Sequence, residues 1–477
     1  MSEIARKRTK IVATIGPASR DPQTLRALVR AGLNVARLNF SHGTHEEHGA
    51  VISDIRKIAR ELDVQIGVLQ DLPGPKVRTG PLGHGISAVQ LETGAPFTLS
   101  MHPLVGTAEG VSVTYADLGR DVEAGKRIYL ADGAIALRVL ATSADLIETR
   151  VEVGGDLRAA QGVSYPDGKL GIAAMTERDF EHLAFGLECD VDWVAVSFVR
   201  GPDDISRVKA FIAERGKNIP VIAKIERQQA LENLDGIIEV ADGIMVARGD
   251  LGIEIPLERV PLVQKDLIAR ANRASKPIIT ATQMLESMIA SPRPTRAEAA
   301  DIANAILDGT DAIMLSAETA RGAYPVEAVR IMATIAREIE SAYPHEELHA
   351  RRIHQNGYTI PTSIAASAVR MAEELGLGFI VTGTTTGIAP RHVASFRPRA
   401  RIITMTAFPE IARRMTLVWG VEAFIVERYS HFETLIDITE ARMLRENLAK
   451  SGDTIVFTSG MPIGGNVTNL VKIHQIL

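Results

Sequence analysis

Cysteine is almost missing from this 477-residue chain. Cys189 stands alone, so no intrachain disulfide can form, and cysteine-built zinc clusters are excluded. An excess of one charge is missing too: 53 Lys and Arg against 58 Asp and Glu leave a formal charge of −5. That is too acidic for general binding to a phosphate backbone, so no nucleic-acid partner is expected, while a local basic pocket for an anionic ligand stays compatible. No apolar run reaches the roughly 18 residues of a membrane helix, and the opening MSEIARKRTK is charged with no apolar region behind it. Neither a secretion signal nor a membrane partner is expected, and a cytoplasmic location is the default. Low-complexity tracts and short-period repeats are absent. What is present is ordinary for a globular enzyme, with 46% apolar and 23% charged residues. The length suggests about three domains at roughly 100–200 residues each.

Short apolar runs alternate with amphipathic stretches along most of the chain. Ile11–Thr14, Val35–Asn39 and Ile66–Asp71 read as strands, with a helical stretch Asp21–Ala31 after the first. From residue 72 to about 165 the rhythm changes to Gly, Val and Thr with short alternation, which reads as an inserted β unit. Thr176 then looks like an N-cap, and strands are expected at Trp193–Phe198, Val221–Ile225, Gly243–Ala247, Ile278–Ala281 and Ala312–Leu315. Eight strands joined by helices predict an α/β protein built on a (β/α)8 TIM barrel; a doubly wound open sheet gives the same local pattern. Polar clusters at the ends of most strands favour the barrel. A further α/β unit begins near residue 350, with strands at Phe379–Thr382, Ile402–Thr406, Ala423–Val426 and Thr454–Phe457 and a closing strand in LVKIHQIL. The expected division is a barrel from 1–71 and 166–347, a small β-barrel lid from 72–165, and an open α/β domain from 348–477.

In such barrels the chemistry lies at the C-terminal ends of the strands. The second strand ends in RLNFSHG, where alternation puts Arg37, Asn39 and Ser41 on one face; the plainer alternative is a polar strand end with a helix cap. The third ends at Asp71, and Gly74–Pro75 turns the chain before Lys76 and Arg78. The fifth carries Lys224 and Glu226 on one face, a structural ion pair or a metal carboxylate beside a lysine that meets a transferring anion. The sixth places Asp250 between Gly249 and Gly252, where backbone can approach a ligand. Glu226 and Asp250 on adjacent strands suit one Mg2+. The seventh offers Thr282, and the eighth Ser316 and Glu318, any of which could simply cap a helix. No Ser–His–Asp set and no nucleophilic cysteine accompany them. His42, in a turn after Ser41, has a structural alternative. These cations, carboxylates and hydroxyls suit phosphoryl transfer or metal-held enolate chemistry, which work by positioning and charge stabilisation.

The motifs TIGPAS (14–19), NVARLNFSHG (34–43), IAKIE (222–226), MVARGDLGIEI (245–255), ATQMLESM (281–288), PRPTRAE (292–298) and AILDGTDAIMLSAETARGAYP (305–325) together resemble the pyruvate kinase family over nearly the whole chain. The resemblance implies a barrel with an inserted lid and a C-terminal domain that in many members binds a phosphometabolite. It implies phosphoryl transfer from phosphoenolpyruvate to ADP, giving pyruvate and ATP in glycolysis. Carried across, Lys224 stabilises the transferring phosphoryl group and the enolate oxygen, and Arg37 contacts the phosphoryl group. Glu226 and Asp250 hold Mg2+, with Mn2+ an alternative. The Gly249 and Asp250 backbone holds the carboxylate, and Thr282 serves the proton relay with Ser316 and Glu318 nearby. Arg78, Asn39 and His42 face the nucleotide. A homotetramer is the family default.

Three departures stand out. A K+ ion in many members sits by residues matching Asn39, Ser41, Asp71 and Leu72; leucine brings no side-chain oxygen, and Lys76 stands where Glu is frequent. Gln161 stands where a nucleotide-contacting lysine is frequent, in the stretch QGVSYPD (161–167). The loop Thr384, Thr385, Thr386 and Gly387 could nest an effector phosphate, but its family pattern is altered, and an ordinary strand-to-helix turn is the alternative. Two other functions stay open. One is a metal-dependent aldolase or lyase on a pyruvate enolate, which Lys76, Arg78 and the insertion speak against. The other is an inactive, metabolite-binding relative, which intact Lys224, Glu226, Asp250 and Thr282 speak against. The Leu72 and Lys76 substitutions predict activity independent of K+: replacing K+ by a tetraalkylammonium salt should leave turnover unchanged, and a manyfold drop would overturn it.

Overall fold

The computed structural model describes residues 7–166, 168, 170–345, 359–461 and 467–477. Eight parallel strands close into a barrel: β1 (Lys10–Thr14), β2 (Val35–Asn39), β3 (Gly67–Leu72), β12 (Trp193–Val196), β13 (Val221–Ile225), β14 (Gly243–Ala247), β15 (Ile278–Ala281) and β16 (Ala312–Leu315), with β1 beside both β2 and β16. The strands are mostly apolar because both faces are covered, with the charged exceptions Lys10, Arg37, Asp71 and Lys224. Val12, Val35, Leu69, Ile222, Met245 and Ile279 fill the interior, and the opposite faces pack on the helices. The fourth barrel strand ends two residues before the expected Phe198. Phe198 has φ +56°, a left-handed conformation that breaks the ladder.

Helix starts follow the sequence chemistry. Asp21 caps Pro22–Ala31, and capping boxes close His45–Glu61 (Thr44 with Glu47), Glu177–Glu188 (Thr176 with Asp179) and Arg296–Asp308 (Thr295 with Glu298). Between β3 and β12 the chain forms a curled six-stranded sheet in the order β11 (Val163–Ser164), β7 (Arg127–Leu130), β8 (Ile135–Thr142), β9 (Leu146–Val153), β5 (Pro96–Ser100) and β6 (Gly110–Ser112). A ribbon of β4 (Val89–Leu91) and β10 (Gly155–Leu157) completes this unit, which has its own core around Phe97, Leu99, Ile128 and Leu137. The C-terminal sheet runs β19 (Val421–Ile425), β18 (Arg401–Thr406), β17 (Phe379–Gly383), β20 (Thr454–Ser459) and β21 (Leu470–Gln475), the last antiparallel. The expected limit between 347 and 348, and Asp167, lie outside the described residues. Among the described residues no helix is long and apolar enough to cross a membrane.

The C-terminal unit seals the barrel floor. Arg397, fully buried, donates to Asp311 (3.1 Å) and Asn272 (2.9 Å) and lies over the Trp419 ring. Arg413 donates to Asp192 (2.7 Å). Asp192, Asp242 and Asp311 each precede a strand and accept the N–H of a residue in the neighbouring strand: Val68 (2.8 Å), Val221 (2.9 Å) and Ile278 (3.1 Å).

Beside the barrel mouth, Phe40 stacks on His48 at 4.2 Å and His45 on Phe185 at 4.4 Å, and His45 Nε2 meets His182 Nδ1 at 2.7 Å. Burial pushes His48 and His182 below the ordinary histidine value of 6.5. Below 6.5 the unfolded chain therefore binds more protons than the folded one, so this pair's contribution is lost as the pH falls through that range and is constant above it. The thermal midpoint should drop between about pH 7 and about pH 5, and drop less in His182→Asn; equal drops in both proteins would exclude this pair as the cause.

Candidate active site

The ends of β2, β3 and β13 converge on four buried charges. Arg37, 8% exposed, donates from Nε to Asp71 Oδ2 (2.6 Å) and from Nη1 to Thr14 Oγ1 (2.7 Å). Lys224 Nζ lies 3.2 Å from Asp71 Oδ1, 2.9 Å from Glu226 Oε1 and 2.6 Å from Ser197 Oγ. The Ser197 hydroxyl donates to the Leu72 carbonyl (2.7 Å), and the Phe198 N–H, turned inward by its left-handed backbone, donates to Glu226 Oε2 (2.8 Å).

Burial alone would raise Asp71, but Arg37 and Lys224 outweigh it and hold the carboxyl below its usual range. Burial alone would lower Lys224, but Asp71 and Glu226 outweigh it and hold the ammonium above its usual value. Glu226 shares that lysine with Asp71. Burial therefore prevails and pushes Glu226 up, with Asp250 adding like-charge repulsion. A divalent cation would relieve that repulsion, so this pair fits such an ion. Among the described residues no group of three or more His, Cys, Asp or Glu is arranged for a metal, so this pair alone would not complete an ion's coordination.

Asp250 and Gly249 sit in the first turn of the helix Arg248–Glu254, directly after β14. The Gly249 N–H donates to Thr282 Oγ1 (2.8 Å), and that hydroxyl donates to the Ala281 carbonyl (2.6 Å). The inserted unit touches this same helix: the left-handed turn Ala131–Gly133 brings Gly133 against Ile253. Glu318, 3% exposed, accepts the N–H of Ser316 (2.7 Å) and of Leu285 (3.2 Å), so both its oxygens brace backbone.

The remaining candidates are more dispersed. Asn39 Oδ1 accepts the Ser41 N–H (3.1 Å), and Ser41 and His42 are exposed. Leu72 is fully buried in the barrel core. Lys76 forms an ion pair with Asp132 of the inserted unit (3.7 Å) and none with Asp71, because the Gly74 turn (φ +64°) carries it outward. Arg78 donates to the Ala160 carbonyl (2.9 Å) and has no ion pair among the described residues. Gln161 Oε1 accepts the Arg158 N–H (3.0 Å). Far away, Thr384 Oγ1 accepts the N–H groups of Thr386 (3.3 Å) and Gly387 (2.9 Å), so the turn holding Thr385 is closed by its own hydroxyl. Sequence reading missed Thr14, Ser197 and Arg248. Thr14 ends strand one and Ser197 directly follows strand four, and reading those two ends like the others would have found them.

Comparison with known proteins agrees with this architecture. The family described as "Pyruvate kinase, barrel domain" matches residues 6–329, and "Pyruvate kinase, alpha/beta domain" matches residues 362–474. The chain is 46% identical to pyruvate kinase 2 of Synechocystis sp., over 98% of this chain and 79% of that protein. It is 45% identical to the pyruvate kinase of Geobacillus stearothermophilus, over 99% and 81%. A crystal structure of a pyruvate kinase from Cryptosporidium parvum superimposes with a TM-score of 0.94 at 35% identity, covering 100% of this chain and 97% of that one. The chain belongs to the pyruvate kinase family, the glycolytic transferases of that name, and is an enzyme of that class.

Removing Asp71 would leave Arg37 and Lys224 buried without their shared counter-charge. Asp71→Ala should cost about 3–5 kcal/mol of barrel stability in urea unfolding. A loss of about 1 kcal/mol or less, as for an exposed pair, would show that the cluster does not brace the barrel mouth.

Proposed function

We propose that the chain transfers the phosphoryl group of phosphoenolpyruvate to ADP, releasing an enolate that is protonated to pyruvate, with Mg2+ held by Glu226 and Asp250. Mn2+ would serve in its place. The observation that carries this reading is the Lys224 ammonium, held charged between Asp71 and Glu226 at the barrel mouth. The bound ion supplies charge neutralisation for the oxygens of the donor and of the leaving enolate. Lys224 stabilises the moving phosphoryl group and the enolate oxygen, and Arg37, aligned by Asp71 and Thr14, contacts the phosphoryl group. The Gly249 and Asp250 amides receive the carboxylate. Thr282 serves the carbon to be protonated; Ser316 and Glu318 stand behind it, Glu318 as the brace of both loops.

Arg78, without an ion pair among the described residues, Asn39 and His42 serve the nucleotide at the junction with the inserted unit. That unit, already touching the Arg248–Glu254 helix, acts as a lid. In this reading 1–71 and 166–347 form the catalytic domain, 72–165 the lid and 348–477 a regulatory and oligomerisation domain. K+ is not required: Leu72 offers only a carbonyl already engaged by Ser197. A phosphometabolite effector at Thr384–Gly387 stays part of the proposal. A cytoplasmic homotetramer is the assembly form, supported by Leu257 and Leu262, each 69% exposed on the barrel's outer face.

Pyruvate formation from phosphoenolpyruvate, ADP and Mg2+ tests the reading. The native chain should turn over, and Lys224→Ala should lose at least about 10²-fold in kcat, the order of a lost charge-stabilising donor. A folded native chain that makes no pyruvate, or a Lys224→Ala variant as active as the native chain, would overturn it.

A further inference from the structure

Thr282 is held in a backbone conformation that β-branched residues avoid. Its φ is +67°, and Gln283 follows at +54°. Such geometry persists only where the surroundings over-determine it. Arg248 supplies that constraint. Its side chain, 7% exposed, donates from Nη2 to the Thr282 carbonyl (2.6 Å) and from Nε to the Ala281 carbonyl (3.3 Å), so one planar fork spans the carbonyls on both sides of the strained residue's amide. Nη1 is anchored to Asp301 (2.7 Å), on the helix Arg296–Asp308, and to Gln264 (3.3 Å), on the helix Val260–Arg273. Arg248 is also the residue before Gly249, whose N–H meets the Thr282 hydroxyl. A single side chain thus sets the backbone of both partners in that hydrogen bond.

We propose that Arg248, neutralised by Asp301, is a positioning residue for the protonation step: it fixes the Thr282 hydroxyl against the Gly249 amide where the enolate carbon is to receive its proton. The inference rests on reading Thr282 as serving that step. A lysine keeps the charge but loses the planar fork, so it cannot hold both carbonyls.

Arg248→Lys should lower kcat by about 10²-fold, the cost of misplacing a group by about 1 Å, with KM for phosphoenolpyruvate changed less than about threefold. Exchange of pyruvate methyl hydrogens in D2O with Mg2+ and ATP should fall with kcat. Asp301→Asn, which keeps the shape of the anchor, should lose about tenfold or less in both, and it serves if Arg248→Lys does not fold. The double variant Arg248→Lys/Thr282→Ala should be no slower than Thr282→Ala alone. Multiplicative losses in that double variant, or a rise in KM at constant kcat, would overturn the positioning role while leaving the kinase reading intact. If both Asp301→Asn and Arg248→Lys exchange methyl hydrogens as fast as the native enzyme, the proposal falls as well. A native chain that makes no pyruvate would instead sink the functional reading beneath it.

Discussion

Two cations and two carboxylates share the barrel mouth almost without water: Arg37, Asp71, Lys224 and Glu226 are each between 1% and 9% exposed. Buried charge is tolerable only where partners and hydrogen bonds compensate for lost hydration. Here each charge has an opposite neighbour, and Thr14, Ser197 and the Phe198 amide take up spare donor and acceptor capacity. The balance is incomplete on one side. Lys224 is shared by two carboxylates, and Asp250 adds a further negative charge beside Glu226. That local excess of negative charge is the physical reason the pair suits a divalent cation, and it keeps Lys224 charged in spite of burial.

The opposite end of the barrel solves a different problem with the same residue type. Asp192, Asp242 and Asp311 each take the N–H of a residue at the start of the adjacent strand, which would otherwise be left without a partner at the barrel floor. Two of them also receive an arginine from the C-terminal unit, Asp192 from Arg413 and Asp311 from Arg397. Carboxylates at the floor are thus satisfied by backbone and by cations, Asp242 by Lys209 (2.8 Å). Those at the mouth keep an unbalanced charge. Asp192 and Asp311 at the floor are as buried as Asp71 and Glu226 at the mouth, so charge balance distinguishes the two ends where burial does not.

Strand positions were legible because their signal is local: runs of β-branched and aliphatic residues buried on both faces look alike wherever the barrel places them. Arg37, Asp71, Lys224 and Glu226 were legible because charge at the end of an apolar strand is itself an anomaly. Ser197 and Thr14 carry no such anomaly, being small hydroxyls in unremarkable runs. Arg248 was hidden because its role is to bond carbonyls, which no side-chain pattern reports. The direction of Lys76 was hidden for another reason. It depends on the Gly74 turn and on Asp132, 56 residues away in the inserted unit, a relation that exists only after folding.

The resting hydrogen bonds at Thr282 bear on how the proposed chemistry is ordered. The hydroxyl is engaged in both senses, its proton on the Ala281 carbonyl and its lone pair on the Gly249 N–H. It therefore has neither a proton to give nor its best lone pair to receive one. In the proposed function, a substrate carboxylate arriving at the Gly249 amide would compete for that N–H with a charge-assisted bond, roughly twice as strong as a neutral one. The amide would then turn from the hydroxyl to the substrate, and the Thr282 oxygen would regain a lone pair once the carboxylate was seated. The Arg248 bonds to the Ala281 and Thr282 carbonyls would hold the backbone during this exchange and confine the change to one N–H and one hydroxyl. On that reading, proton handling would be coupled to substrate occupancy through a single shared donor, the Gly249 N–H.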